Sequence, residues 1–266
     1  MSLTLTILGC GPSGGVPRVG NHWGACDPAN PKNRRRRCAM LVQRFGSGGQ
    51  TDLLIDTGPD LREQMITTGL TGLDGVLYTH DHADHTHGID DLRILAYNRR
   101  KLIDVYFDAP TAEIVRRRFD YCFATPEGSS YPPIVRGHLV EPGQEVAITG
   151  AGGAITAMPF RQLHGDITSL GFRFGGLAYS SDLNHLPTES LDYVRGLDVW
   201  IVDALRYTPH PSHFSVEQAL EWIERLKPRR AILTHLHMDL DHETLRRELP
   251  PGVEPAYDGM VVELPG

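Results

Sequence analysis

Five of the six residues from His80 to His85 (HDHADH) have side chains that can bind a metal ion or carry a proton. They follow the apolar residues 76–78 after one intervening residue, Thr79. The apolar run predicts a buried strand, and a helix is predicted from near Ile89. The side chains therefore lie at the carboxyl end of a strand, where open α/β sheets bind ligands. Imidazole and carboxylate groups together suit a first-row divalent cation. A solvated His-rich loop is the alternative, but the position after a buried strand favours a metal site.

The spacing within this turn is compatible with two metal ions. His80 and His82 are two residues apart on an extended segment and can point the same way. The start of a helix turns Asp84 and His85 towards a second position. One loop can therefore serve two cations about 4 Å apart, the usual separation in dinuclear hydrolases.

The pattern H-x-H-x-D-H resembles that of the metallo-β-lactamase-fold hydrolases. The resemblance implies an α/β fold, an αββα sandwich of two mixed β-sheets flanked by helices. It also implies three further ligands, His, Asp and His in that order, from the ends of later strands. His164 follows one predicted strand, Asp182 ends LAYSSD, and His235 ends RAILTH. By resemblance, the first metal is held by His80, His82, His164 and Asp182, and the second by Asp84, His85, Asp182 and His235.

The catalytic residues implied by the resemblance are Asp84, Asp182 and His213. Two divalent ions lower the pKa of a bridging water, so that hydroxide exists at neutral pH and can attack phosphorus. The alkoxide that leaves needs a proton, and related phosphodiesterases place a general acid where His213 stands, shortly before a helix. His210 is the alternative acid, and either ring could instead be solvent-exposed without a role.

Three segments resemble phosphodiesterases and tRNA 3′-processing nucleases of this fold: LGCGPSGGVPR, LLIDTGPDLREQ and HGIDDLR. The overall resemblance is strongest to the cyclic-phosphate phosphodiesterases of the carbon–phosphorus lyase pathway, and it implies a small phosphodiester substrate. A tRNA 3′-processing endonuclease, a thioesterase and a non-hydrolytic biosynthetic accessory protein are the alternatives. The glycine-rich loop Gly9–Pro17 could cradle phosphate or simply pack tightly, and we expect it to line the site.

Composition narrows the class of protein. The chain has 266 residues, a net charge of −7 and four cysteines. Its length predicts one domain over residues 1–266, with two pseudo-halves meeting near residue 150, and the resemblance implies that this domain is a hydrolase. The acidic balance argues against nucleic acid as the main partner. We expect a cytoplasmic protein with no membrane association, since no apolar run or signal peptide is evident. The oligomeric state is left open, with a homodimer as one possibility.

Several residues carry weaker predictions. Asp56, at the end of an apolar strand, should orient a metal-bound imidazole. A structural zinc held by Cys26 and Cys38, with His22 and His237, is one interpretation; buried free thiols are the other. Residues 34–37, four consecutive arginines, predict a solvated loop, with a phosphate-facing patch as the alternative. The metals are zinc or manganese, and iron is also compatible. The candidates for binding substrate phosphate are Arg18, Arg99, Arg100, Arg136 and Arg206.

Local patterns also predict the elements that position these residues. Residues 124–138 read as an irregular rim or lid, with His138 as a weak candidate, and residues 139–160 alternate in strand fashion. The strands are predicted at 3–8, 39–45, 51–56, 102–107, 171–174, 176–182, 198–203, 230–235 and 261–264. The helices are predicted at 59–68, 89–100, 111–119, 215–226 and 241–249.

Overall fold

The structure is a computed structural model that describes residues 3–264. Within that range, fourteen β-strands form two seven-stranded sheets. In chain order the strands are β1 Leu3–Gly9, β2 Ala39–Gly46, β3 Gly49–Ile55, β4 Gly75–Leu77, β5 Ile103–Phe107, β6 Val135–Leu139, β7 Val146–Gly150, β8 Gly153–His164, β9 Ile167–Phe174, β10 Leu177–Ser180, β11 Val199–Asp203, β12 Arg230–Thr234, β13 Val253–Pro255 and β14 Val261–Leu264.

Sheet I has the strand order β14-β1-β2-β3-β4-β5-β6, and sheet II has the order β13-β12-β11-β10-β9-β8-β7. Each sheet is mixed: β3 to β6 and β10 to β13 pair in parallel, whereas β1 with β2 and β8 with β9 pair antiparallel. The chain passes from sheet I to sheet II between β6 and β7, and β14 returns to the edge of sheet I. The assignment of a single domain stays a prediction.

Helices cover the outer face of each sheet. No helix among residues 3–264 has the length and hydropathy needed to cross a membrane. The α-helices are α1 Leu61–Thr68, α2 Ala83–Thr86, α3 Leu92–Arg99, α4 Ala109–Arg118, α5 Asp120–Phe123, α6 Val216–Leu226 and α7 His242–Glu248, and the 3-10 turns are Pro31–Asn33, Ile89–Asp91 and Thr188–Tyr193.

Strand β2 shows why the layers form. Met40 and Val42 point into the core between the two sheets, whereas Ala39 and Leu41 point into the core beneath α1, α3 and α4. Because successive side chains of a strand alternate between its faces, a strand covered on both sides must be apolar throughout. The outer face of sheet II is covered in the same way by α6 and α7. The helix–sheet–sheet–helix order confirms the predicted αββα sandwich.

Most predicted elements are confirmed, with shifts at their ends. Strands β2 and β3 form the predicted hairpin, and Ser215 caps α6 in a capping box with Gln218. The predicted helix over 89–100 begins as a 3-10 turn and becomes α-helical at Leu92. The irregular rim predicted for 124–138 is wrong at its end, because Val135 is buried opposite Ile103 in the parallel pair of β6 and β5.

The solvated loop predicted for the four arginines is wrong for Arg35. Its side chain is only 1% exposed, and it donates to the backbone carbonyls of Leu236, His237 and Leu240. These three carbonyl oxygens accept hydrogen bonds from both terminal nitrogens of the guanidinium, Nη1 and Nη2. Arg35 therefore fastens the arginine segment to the loop that follows β12.

Candidate metal centre

The predicted ligands lie at the carboxyl ends of strands from both sheets. His80 follows β4, His164 is the last residue of β8, Asp182 follows β10, and His235 directly follows β12. Asp182 and His235 adopt left-handed backbone conformations, with φ of 49° and 61°, and so does Asp56 after β3, with φ of 64°. Such conformations are costly for residues with side chains and concentrate at functional sites.

The first group of donors combines the turn after β4 with the end of β8. Suitable ligand atoms of His80, His82 and His164 all lie within 4.8 Å of one another. Nε2 of His164 is 3.3 Å from Nδ1 of His82. Asp182 Oδ2 lies 3.9 Å from the Nε2 atoms of both His80 and His164. These four residues are the set predicted for the first metal.

The second group lies on the other side of Asp182. Asp182 Oδ1 is 3.3 Å from His85 Nε2, and its Oδ2 is 3.4 Å from His235 Nε2. Asp84 Oδ2 is 3.5 Å from His85 Nε2. Among residues 3–264, Asp182 is therefore the carboxylate that faces both groups, in the position predicted for a bridging ligand.

The unpartnered atoms of the centre fit metal ions. The Nε2 atoms of His80, His85 and His235 and Oδ1 of Asp182 are buried, yet no hydrogen-bond partner among the described residues satisfies them. Buried polar atoms without partners are rare because desolvation is costly. Two divalent cations would satisfy them, and imidazole with carboxylate is a suitable donor set. The seven side chains converge as expected, while their binding of metal stays a prediction.

Hydrogen bonds on the far side of three rings leave the facing nitrogen free to bind metal. His85 Nδ1 donates to Asp56 Oδ2 at 2.7 Å, and His164 Nδ1 donates to the carbonyl of Ser212 at 2.7 Å. Thr79 Oγ1, which donates to Asp56, accepts from His80 Nδ1 at 3.0 Å. Asp56 thus occupies the orienting position predicted for it, since such bonds fix the tautomer of a metal-binding imidazole.

The pKa shifts at the centre indicate that its buried carboxylates favour a neighbouring positive charge. Burial lowers the pKa of His80 well below its ordinary value and also lowers the pKa values of His164 and His235. These neutral rings are in the state that metal binding requires. Burial acts to lower the pKa of His85 too, but the surrounding carboxylates, Asp182 foremost, outweigh it and raise the pKa well above its usual range. A cation among these carboxylates would supply the charge that a proton on His85 otherwise provides.

His213 lies beside the bridging carboxylate and is held by a buried acid. Its Nδ1 donates to Asp203 Oδ2 at 2.7 Å, and its Nε2 lies 4.0 Å from Asp182 Oδ2. Burial acts to lower the pKa of His213, but the Asp203 carboxylate outweighs it and raises the pKa to about 9. The residue is only 8% exposed, so the alternative of a solvent-exposed His213 is wrong.

Asp203 is the residue whose role the sequence did not reveal. It is fully buried, binds His213, and has its second oxygen 3.8 Å from His235 Nδ1. The available signal was its position at the end of the apolar strand DVWIVD, which matches that of Asp56 after LLI. His210, the alternative acid, is half-buried, and its ring lies 5.1 Å from that of His213.

The four residues considered for a structural zinc do not come together. Cys26 Sγ contacts Arg35 and the carbonyl of Leu240, whereas Cys38 Sγ contacts the carbonyl of Gly11 and Thr234. Neither thiol belongs to any potential metal-binding group found among residues 3–264. The structure therefore supports the other interpretation, buried free thiols. Histidines of the same set are engaged elsewhere: His22 with Met238 and His237 with Arg18.

The five candidate arginines divide by location. Arg99 pairs with Asp74, and Arg136 pairs with Asp104 beside His138, all outside the centre. Arg100 is the exposed C-cap residue of α3, next to Arg99. Arg18 and Arg206 are carried by loops next to it, since Arg18 contacts the residue two after His235, and Arg206 lies seven before His213. The glycine-rich loop packs beside the same strand end, where Cys10 accepts a hydrogen bond from the backbone of Leu236.

A model of the Beta-lactamase superfamily domain matches residues 51–236, more than half of the chain. The chain belongs to this family. Members share the fold described above, which implies divalent metal ions and a hydrolase. The matched segment contains all seven predicted ligands as well as His213 and Asp203.

Comparison with individual proteins agrees with this assignment. A crystal structure described as a new diphosphatase from the PhnP family is 35% identical, with a TM-score of 0.88, and the match covers 99% of this chain and 98% of that one. Zn²⁺-bound PqqB from Methylobacterium extorquens (17% identical, TM-score 0.75) and the short form of human tRNase Z (18% identical, TM-score 0.64) share the fold.

Two curated relatives match with higher sequence identity than these last two structures. A Porphyromonas gingivalis protein named octanoyltransferase is 32% identical over 259 residues, covering 96% of this chain and 50% of that protein. A Bradyrhizobium sp. ribonuclease Z is 31% identical over 148 residues, covering 54% of this chain and 46% of that protein. The chain thus spans about half the length of the curated relatives it matches.

Proposed function

We propose that this chain is a metal-dependent phosphodiesterase that hydrolyses a small phosphodiester, with a cyclic ribose or nucleotide phosphate as the favoured class. The observation that carries the proposal is the position of His213, held by a buried carboxylate and directed at Asp182, where the two groups of ligands meet. The similarity to a PhnP-family diphosphatase supports chemistry at phosphorus.

In the proposed reaction, the seven convergent side chains would hold two divalent ions, zinc or manganese, with iron also compatible. Bound there, the ions would lower the pKa of water and polarise the phosphoryl oxygens. Water loses one proton to solvent and attacks phosphorus, the ester P–O bond breaks, and His213 Nε2 gives a proton to the departing alkoxide oxygen. The ring then regains a proton from solvent, which completes the cycle. Asp203 accepts from Nδ1, so it orients the ring with Nε2 towards the centre and stabilises the imidazolium before transfer.

The pair of His213 and Asp203 favours an ester over a diphosphate as the substrate. A sugar alkoxide is a poor leaving group and gains about 10²–10⁴ in rate from a positioned acid. A phosphate leaving group is far more stable as an anion and gains much less. A buried, carboxylate-bound histidine is therefore best explained by an alkoxide that must be protonated.

The ribonuclease Z relative favours the second candidate, a tRNA 3′-processing nuclease. Against it stands the net charge of −7, because RNA binding depends on basic surface. The name of the P. gingivalis relative describes acyl transfer, but all four cysteines of this chain are buried, which removes an accessible thiol as an acyl acceptor. A thioesterase or an accessory protein of this fold stays an alternative for the assay to test.

A substrate panel on protein with measured metal content tests the proposal. The panel contains bis(p-nitrophenyl) phosphate, ribose cyclic phosphates, 2′,3′-cyclic nucleotides, a diphosphate, a tRNA precursor and an acyl thioester. We expect about two equivalents of metal and the highest kcat/KM on a cyclic phosphodiester. Inactivity of the metal-replete protein on every diester would refute the phosphodiesterase. Three expectations stay predictions: that the partner is a small molecule, that the chain forms a homodimer, and that the protein is cytoplasmic.

A further inference from the structure

Two sequence motifs that the metal centre does not use form the walls of one cavity. The cavity has a volume of about 540 Å³ and is lined by Gly15–Pro17 of the glycine-rich loop and by all four arginines, Arg34–Arg37. None of the seven predicted ligands lines it, and neither does His213. Its volume lies in the range of sites for small organic ligands, about 300–1,000 Å³.

The three carboxylates at this cavity are already neutralised by cations. Arg36 Nε lies 3.0 Å from Asp258, and Arg37 Nε lies 3.0 Å from Asp60. The third carboxylate, Glu63, pairs at 2.5 Å with the preceding arginine of α1. The acidic residues therefore do not balance the charge of the two remaining arginines.

Arg34 and Arg35 form no ion pair with a carboxylate in the part of the chain that the structure describes. Arg35 is 1% exposed, its partners are neutral, and its Nε has no hydrogen-bond partner among the described residues. Arg34 is exposed, and its guanidinium lies 5.5 Å from the centre of the Trp23 ring. Arg34 is therefore the guanidinium that an anion in the cavity can contact, whereas Arg35, whose donors point to the loop after β12, adds positive charge nearby. An anion in the cavity would offset part of the cost of burying that charge.

We propose that this cavity binds the phosphate group of a small phosphorylated molecule, at a site separate from the metal centre. Guanidinium groups suit phosphate because their planar donors match its oxygens. The apolar wall of Val16, Pro17 and Pro31 provides a surface for the organic part of the ligand. The volume of the cavity exceeds that of a single phosphate ion, which leaves room for the organic part of such a molecule.

The cavity adjoins the segments that carry two predicted ligands. Arg35 donates to the backbone carbonyls of Leu236 and His237, directly after His235. On the other side, Gly58 packs against the carbonyl of Asp84, and a Cβ there would lie 3.5 Å from Arg37 Cβ. A phosphorylated ligand must therefore be distinguished experimentally from one bound at the metal centre itself.

Calorimetric titration of the metal-replete protein with inorganic phosphate tests the site. We expect two sites, and the inhibition constant of phosphate against diester hydrolysis identifies the one at the centre. Arg34→Glu should weaken only the other site, by about tenfold or more, as expected for loss of a charge-assisted contact. AMP should bind that site more tightly than inorganic phosphate does.

Arg225→Glu is the matched control, because Arg225 is also a surface arginine stacked on a tryptophan, 4.6 Å from the Trp222 ring centre, but on α6. It should leave both sites unchanged. A single phosphate site insensitive to Arg34→Glu would overturn the proposal, and so would equal weakening by both variants. If Arg34→Glu lowers the melting temperature, Arg34→Gln replaces it, with loss at the same site expected. Repeating the titration after the metal is removed by a chelator identifies the site at the centre without any activity, so failure of the phosphodiesterase assay leaves this test intact.

Discussion

The metal centre receives its residues from two regions that are built differently. In sheet I, four predicted ligands come from one turn, His80–His85, which closes on itself: Thr86 Oγ1 donates to the carbonyl of His82 at 2.9 Å. In sheet II, three predicted ligands come from the ends of β8, β10 and β12, which are far apart in the chain. The first region is a local structure, whereas the second exists only when the strands are in register.

The orienting carboxylates follow the same division. Asp56 serves the turn of sheet I through His85, and Asp203 serves sheet II through His213. Asp203 is in register with Thr234, the residue before His235, because β11 and β12 pair in parallel. The difference indicates that the turn is suited to binding metal, while sheet II would supply the predicted bridging carboxylate and the proposed acid.

The strongest test removes the residue shared by both regions. Asp182→Ala should lower kcat/KM on the best diester by about 10⁴-fold, because one carboxylate faces both groups of ligands. Metal content should fall below two equivalents, measured by elemental analysis. The exposed Asp192→Ala provides the control and should keep metal and activity. An Asp182→Ala variant with full activity would contradict the predicted bridging role.

The next test separates chemistry from metal binding within sheet II. His213→Ala should lower the rate on cyclic phosphates by about 10²–10⁴-fold, because the alkoxide then leaves without a proton. The loss on bis(p-nitrophenyl) phosphate should be much smaller, since nitrophenolate needs no acid, and metal content should stay unchanged. His210→Ala is the matched comparison. Equal losses on the two substrates would remove His213 from the acid role.

A third pair of variants compares the two orienting carboxylates. Asp56→Asn should weaken metal binding by about 10–100-fold, because it orients His85 in the turn. Asp203→Asn should instead act mainly on the rate with poor leaving groups. Metal titration and kcat on both substrate types are the measurements. If both variants changed metal affinity and rate alike, the division of labour between the two regions would be wrong.

The smallest expected effect concerns how α7 is held beside the β12 strand end. Asp241 caps α7, accepting from Thr244 N and from Asn33 Nδ2. Burial acts to raise the pKa of Asp241, but these hydrogen bonds outweigh it and lower the pKa to about 2. Asp241→Ala should lower the free energy of unfolding by about 1 kcal/mol at neutral pH.

The sign of the pH dependence follows from the lowered pKa. The unfolded pKa of an aspartate is about 3.9, so the contribution of Asp241 is complete above that value and is lost as the pH falls towards 2. Urea unfolding should show that Asp241→Ala lowers the free energy of unfolding, relative to wild type, by less at pH 3 than at pH 7. Ser215→Ala, which removes the neutral cap of α6, should cost the same at both pH values. Identical pH behaviour of the two variants would exclude the charge effect.

Local patterns predicted much of the fold. Apolar runs located the strands that are covered on both faces, such as β2, because such strands tolerate few polar residues. The Ser215 capping box located the start of α6, since its two hydrogen bonds lie within four residues. The strand β6 was missed because its pairing with β5 is decided by a neighbour 32 residues away, not by its own composition.

Local sequence patterns did not predict which charged residues are buried. Four consecutive arginines indicate a solvated surface, yet Arg35 is buried because carbonyls of the loop after β12, some 200 residues away, accept its hydrogen bonds. The thiols of Cys26 and Cys38 were equally ambiguous, because a structural zinc requires convergence that spacing alone does not report.

By itself, the sequence determined the turn His80–His85, because its metal-binding side chains are adjacent in the chain and follow a recognisable strand. It also supplied His164, Asp182 and His235 as candidates at strand ends, by resemblance to a known family. Only the tertiary structure decided that these ends meet and that Asp203 holds His213. The physical reason is that strand register and sheet packing act between residues distant in the chain, which leave no local signal.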